Sequence, residues 1–313
     1  MRNVLRAGPP ARRVILPDDA LPDAVCVPHW VFDIRDSLET LAAALSRETG
    51  VILIGPDAAL AERFIGSCEL PDHFGHVTGM FDTPWLRDHA PIPLVEDGAL
   101  RFVLPRQRAD ERPHDSALFA TILAAAPARS AMHIAAGNLV PGPDGLAVST
   151  ADLLVQNGFV HVDQAAPTAR QLGIHDWLFL DAFPDDPSGH TDSMLRFLGP
   201  DLCAIAWRTD TPAARRICRE MAQSLCALRP AMTILKLPVA ATRGDFCSPL
   251  NWIQVGRVLF LPDFGACALE PVTAPLAAAG FDCRPVPCPT RGLGGALHCL
   301  TASVVTQGGA ASR

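Results

Sequence analysis

The chain has 313 residues, 49% of them hydrophobic, enough to bury a sizeable core and against the composition of a disordered protein. A formal net charge of -7 without any clustered Lys and Arg argues against a nucleic-acid partner, because phosphate binding needs such a cluster. Ten scattered cysteines with no CxxC pair read nearly all as reduced thiols, and Met1 to Arg13 has no apolar stretch of signal or membrane-span length, so the expectation is a soluble, cytoplasmic protein with no membrane partner.

A helix-like stretch followed by a strand-like apolar run recurs along the chain. The first covers Asp36 to Gly55. Asp36 with Glu39 reads as a capping box, Leu38, Leu41 and Leu45 share one face, Gly50 is placed to end the helix, and Val51 to Ile54 reads as a buried strand. Asp115 to Ile134 repeats the pattern, as do Ala165 to Leu180, Thr211 to Val239 and Glu270 to Val286. Pro141-Gly-Pro-Asp-Gly145 has hairpin-loop chemistry, and Cys218 and Cys226, in a helical pattern beside Ile217 and Leu225, read as core residues. Five units without a low-complexity linker point to an α/β fold in one domain over residues 1–313, its core spanning about 28–304, with a closed arrangement left open and the last residues loose.

Three segments carry candidate chemistry. Pro84-Trp-Leu-Arg-Asp-His-Ala-Pro91 sets an aromatic, a cation and an anion at Trp85, Arg87 and Asp88. Gly189-His-Thr-Asp192 puts His190 and Asp192 two residues apart, on one face if the chain is extended there. Gly294-Gly-Ala-Leu-His-Cys-Leu-Thr301 offers Cys299 behind Gly294 and Gly295, which allow a close backbone approach. A thiolate is the reactive form of cysteine, and a positively charged substrate lowers the cost of making it. Taken singly, an ion pair capping a loop, a surface turn and a buried structural cysteine account for these segments equally well. A metal site from His190, Asp192, His298 and Cys299 matches no common zinc spacing, and nothing flanking Cys299 resembles a protease signature.

In this order the three segments resemble the agmatine deiminase and bacterial peptidyl-arginine deiminase family of guanidino-modifying enzymes. The first looks like the family's W-x-R-D-x-(G or A)-P, the second like G-H-x-D, and the third is similar to its terminal G-G-x-I-H-C-I-T. Weaker matches are Ala135-Ala-Gly-Asn138, where the family has an acid followed by G-G-N, the pair Asp185-Asp186, and Pro249-Leu-Asn251. The resemblance implies a five-bladed pseudo-symmetric α/β propeller, the pentein fold. It also implies Cys299 as nucleophile, His190 as general acid and base, and Asp88 and Asp192 as the carboxylates that hold a guanidinium. Trp85, Arg87, Asn138, Asn251, Gly294 and Gly295 would be further contacts to a small guanidino substrate. No metal or organic cofactor is implied, and a homo-oligomer is left open.

Ala135 departs from the family, since alanine can neither orient a histidine nor bind a cation, and Asp185 or Asp186 is the expected substitute. Val155-Gln-Asn-Gly158 lacks the family's arginine, and the chain has no tyrosine, so the contacts to the substrate tail differ. The leading expectation is a deiminase that turns a guanidino into a ureido group with release of ammonia. Its substrate would be agmatine, a related small guanidino compound or a terminal peptidyl arginine. An amidinotransferase with an amine acceptor and a guanidino-binding protein without turnover are the alternatives.

Overall fold

The computed structural model describes residues 3–8, 13–17, 22–29, 34–106, 113–123, 127–239, 248–265, 268–291 and 293–306. All five helix and strand units form. Their helices are Arg35–Leu45, Pro113–Ile122, Ala166–Leu172, Pro212–Leu228 and Glu270–Ala278, and the strands that follow are Gly50–Gly55, Ala128–His133, Asp176–Leu180, Thr233–Pro238 and Asp282–Pro287. Each of these strands lies parallel to the strand that precedes its helix: Ala24–Pro28, Ala99–Arg106, Leu146–Thr150, Leu202–Trp207 and Val258–Asp263. A helical crossover is what a parallel neighbour requires.

The other edge of each preceding strand takes an antiparallel partner. In the same order these are Ala302–Val304, Ile92–Glu96, Val140–Pro141, Leu195–Gly199 and Ile253–Val255. The result is five separate sheets with one repeated connectivity. In the first sheet the antiparallel strand comes from the far end of the chain, with Ala302 opposite Cys26 and Val304 opposite Ala24. Trp177 and Trp252 are fully enclosed, each in a different apolar cluster. Among the described residues, no helix is long and apolar enough to cross a membrane.

Local physics accounts for the elements and for three corrections. Thr211 caps the Pro212–Leu228 helix by accepting the Ala214 N–H at 3.1 Å, and Pro212 opens it with a fixed φ and no N–H to satisfy. Ile217, Cys218, Met221 and Leu225 fall on its buried stripe, whereas Cys226, one residue further round, is exposed. The expected capping box is replaced: the first helix starts at Arg35 behind Ile34, Asp36 lies inside the first turn, and Glu39 meets His29 Nε2 at 3.1 Å. Gly50 opens the next strand instead of ending the helix, pairing with Ala24. The hairpin at Pro141 to Gly145 forms, with Val140 opposite Val148.

Candidate active site

Five short segments converge on one cluster of side chains, part of which lines a cavity. Asp88 sits on the Leu86–His89 helix, Gly137 on the Ala136–Asn138 3-10 turn, and Asp192 on the Thr191–Ser193 3-10 turn. Asn251 lies just before the strand Ile253–Val255, and Cys299 lies on the Leu297–Leu300 helix. Each segment leads directly into the antiparallel strand of its own unit, so every unit supplies the site from the same topological position.

Cys299 is held by Asn251 from two directions. Its backbone N–H donates to Asn251 Oδ1 at 3.1 Å, and Asn251 Nδ2 donates to the sulfur at 3.1 Å. The sulfur is 3.5 Å from Asp192 Oδ2, which also meets His298 Nδ1 at 2.7 Å. Asp192 is fully buried, and its other oxygen, Oδ1, has no hydrogen-bond partner among the described residues. A buried carboxylate oxygen left in that state is costly unless a donor arrives. His190 Nδ1 stands 3.5 Å from Asp88 Oδ1.

Gly137 allows these groups to converge. A Cβ there would lie 2.9 Å from His190 Nδ1, 3.0 Å from Asp88 Oδ1 and 3.3 Å from Asp192 Oδ2, so any side chain would displace the cluster. Gly189 adopts φ +60, a conformation that L side chains rarely enter, and this turns the chain into His190. His190 and Asp192 therefore meet the cluster through a glycine turn and a 3-10 turn, not along the extended strand expected for them.

Burial pushes the Cys299 thiol well above its ordinary value, and Asp192 and Asp88 push it the same way. The Ala296 backbone and the Asn251 amide oppose them without prevailing. Burial works to raise the Asp192 carboxyl, yet the His298 hydrogen bond and charge, with His190 and Arg196 behind them, hold it below the usual range. The site thus joins a neutral thiol to a buried carboxylate.

The cavity, about 290 Å³, is lined by Trp85, Asp88, Pro187, Ser188, His190, Leu293, Gly294 and Cys299. The Trp85 ring lies over Gly295, where a Cβ would come within 2.6 Å of it. Two of the expected contact residues face elsewhere. Arg87 points away from the cavity, donating from Nε to the His298 carbonyl at 3.4 Å and from Nη2 to Ser303 Oγ at 3.4 Å. Asn138 is enclosed and ties the Thr150 N–H and hydroxyl to the Thr191 hydroxyl. Neither Asp185 nor Asp186 stands in for the acid missing at Ala135 by bonding His190. Asp185 pairs with Arg208 at 2.6 and 2.9 Å, and Asp186 closes its own loop.

A model of the Porphyromonas-type peptidyl-arginine deiminases matches residues 16–304. The chain belongs to that family. No curated protein matches its sequence. In fold, this family member is similar to the agmatine deiminase of C. jejuni, with a TM-score of 0.79 at 16% identity over 94% of this chain and 96% of that one. It is also similar to the agmatine deiminase of Enterococcus faecalis, with a TM-score of 0.72 at 16% identity over 96% and 98%. A dimethylarginine dimethylaminohydrolase shares the fold more distantly, with a TM-score of 0.54 at 11% identity over 90% and 100%. The α/β class read from the five units is therefore that of the deiminases with which this chain shares its fold.

Gly137 and His298 stand inside the quoted motifs, yet neither the close approach at Gly137 nor the role of His298 could be read from them. Gly137 is visible only as a small residue beside Asn138, and the partnership of His298 with Asp192 spans 106 positions. Pro187, Ser188 and Leu293 join the cavity wall from loops whose composition carries no signal beyond turn formation.

Proposed function

We propose that this deiminase-family protein hydrolyses the guanidino group of agmatine, a related small guanidino compound or a terminal peptidyl arginine to a ureido group, through a covalent intermediate on Cys299. The observation that carries the reading is the arrangement of two carboxylates around one thiol. Asp192 stands 3.5 Å from the sulfur with a buried oxygen that has no donor among the described residues, and Asp88 lines the cavity that Cys299 also lines. A guanidinium carries planar N–H donors that suit such a pair, and charge-assisted bonds to both would hold its central carbon near the sulfur.

The chemistry then follows from the groups present. His190 takes the Cys299 thiol proton as the sulfur bonds to the guanidinium carbon, giving a tetrahedral centre. His190 donates a proton to one NH2 group, the C–N bond breaks, and ammonia leaves an amidino-thioether. His190 next takes a proton from water, whose oxygen bonds to the same carbon, and the C–S bond breaks to return the sulfur and release the ureido product. Guanidinium and water become urea derivative and ammonium, with no electrons exchanged. The cationic substrate also neutralises the two acids that hold the thiol up, so binding and thiolate formation favour each other. With Ala135 unable to contact His190 through a carboxylate, Asp88 is the acid beside that ring and serves both the histidine and the substrate.

The test is ammonia release from agmatine, with Cys299→Ala run in parallel. Release by the native chain that disappears in the variant is the expected result. Binding of agmatine with no ammonia from either protein would replace this reading with that of a guanidino-binding protein. Consumption of agmatine only when a primary amine is added would make it an amidinotransferase.

A further inference from the structure

We propose that Asp186 positions His190, acting through Ser188 and Ser193 on the two poles of the histidine backbone. The proposal rests on the reading of His190 as proton carrier. Asp186 Oδ1 accepts three hydrogen bonds: from the Ser188 N–H at 2.9 Å, the Ser188 hydroxyl at 2.7 Å and the Gly189 N–H at 3.1 Å. Ser188 Oγ, its own proton given to Asp186, accepts the His190 N–H at 3.2 Å. On the other side, Ser193 Oγ has one proton to give and stands between Asp186 Oδ2 at 2.6 Å and the His190 carbonyl at 2.7 Å. One carboxylate therefore governs the surroundings of both the N–H and the C=O of His190.

The need for such an anchor is visible in the chain. His190 follows a glycine at φ +60 and precedes a three-residue 3-10 turn, so no regular strand or helix fixes its direction. Nor does a carboxylate at position 135 steady its ring. The anchor continues toward the nucleophile. The Ser193 carbonyl accepts the Ser248 hydroxyl at 2.6 Å, the Ser248 carbonyl accepts the Asn251 N–H at 3.2 Å, and Asn251 grips Cys299. The same run of bonds links the proton carrier to the thiol.

Asp186 does not line the cavity, so it is a positioning residue, and its loss acts on the chemical step more than on binding. A displacement of a reacting group by about 1 Å costs on the order of 100-fold in rate. Asp186→Ala is expected to lower kcat on agmatine by about 10- to 100-fold with KM within about twofold, and to displace the pH profile of kcat. Asp186→Asn keeps an acceptor for Ser188 and Gly189, and its NH2 donates to Ser193 Oγ, which frees the Ser193 proton for the His190 carbonyl. It is expected to hold kcat within several-fold of native. A second readout is independent of turnover: the His190 imidazole signals in NMR, assigned by their loss in His190→Asn, should broaden and move in Asp186→Ala and return in Asp186→Asn. Native kcat, pH profile and imidazole signals in Asp186→Ala would overturn the proposal. So would a fall in melting temperature that accounts for the whole loss and persists in Asp186→Asn. If the native chain releases no ammonia from any guanidine, the catalytic reading fails, and the NMR comparison alone decides whether Asp186 positions His190.

Discussion

The thiol of Cys299 is where opposing effects are most finely set. Desolvation and two nearby carboxylates keep it protonated, while Asn251 stabilises the thiolate through a directed N–H. In the free protein the alkylation rate with iodoacetamide should therefore keep climbing with pH beyond about 9, above the ordinary thiol range. Asn251→Ala removes a hydrogen bond that favours the anion, so alkylation at neutral pH should slow by up to about tenfold. Alkylation followed by mass spectrometry over pH 6 to 11 measures both, and a plateau below pH 8 would contradict the account. At this scale the motifs marked out Cys299, His190 and Asp88, which line the cavity, and Asp192 and Asn251, which contact the Cys299 sulfur. The direction of a side chain was less legible. Successive residues on a helix are turned by about 100°, so Arg87 and Asp88, adjacent in one motif, serve a backbone carbonyl and the cavity respectively.

Short elements carry the site, and their support comes from longer ones. The loop before Trp85 and the Leu86–His89 helix are both fastened to the Pro113–Ile122 helix by Asp115. This carboxylate accepts from the Asp82 N–H at 2.7 Å and the Thr83 hydroxyl at 3.1 Å, and lies 3.1 Å from His89 Nε2. Burial opposes its charge, but His89 and the loop N–H groups outweigh burial and lower its pKa below the ordinary value. A depressed folded-state pKa gives stability that is complete above the unfolded value, near 3.9, and that disappears as pH falls through the folded one. Asp115→Asn should accordingly melt on the order of 5 °C below native at pH 7, with the gap closing as pH is lowered from about 4. Melting curves at pH 7, 5, 4 and 3 test this, and a gap that does not change with pH would assign the loss to shape instead of charge. The helix and strand units were legible from apolar periodicity because each buries one face. The turn at Ala136–Asn138 was not, since its conformation depends on contacts such as Thr150 to Asn138 that link separate segments.

At the scale of the whole molecule, a repeat that residue identities do not reveal becomes plain in connectivity. Each unit adds an antiparallel strand to its parallel pair, and the few residues before that strand enter the site. One unit offers Asp88, the next Gly137, and the others Asp192, Asn251 and Cys299, so equivalent positions have taken on different chemistry. The arrangement makes the site depend on the first sheet, whose antiparallel strand Ala302–Val304 lies directly after the Cys299 helix and binds Ala24–Cys26. It also depends on Ser303, which accepts from Arg87 while Arg87 holds the His298 carbonyl. A chain ending at Thr301 loses this strand and the packing of Ala302 and Val305, both buried. Deleting buried apolar side chains with their strand pairing costs about 2 to 4 kcal/mol, equivalent to about 3 to 6 °C in melting temperature for a chain of this length. A chain ending at Thr306, which keeps every bond described here, is the comparison. The shorter chain should melt lower by that amount and lose ammonia release beyond what its folded fraction explains, because the helix carrying Cys299 is no longer fastened at its exit. Equal activity per folded molecule in the two chains would mean that Asn251 and Asp192 alone suffice to hold the thiol in place.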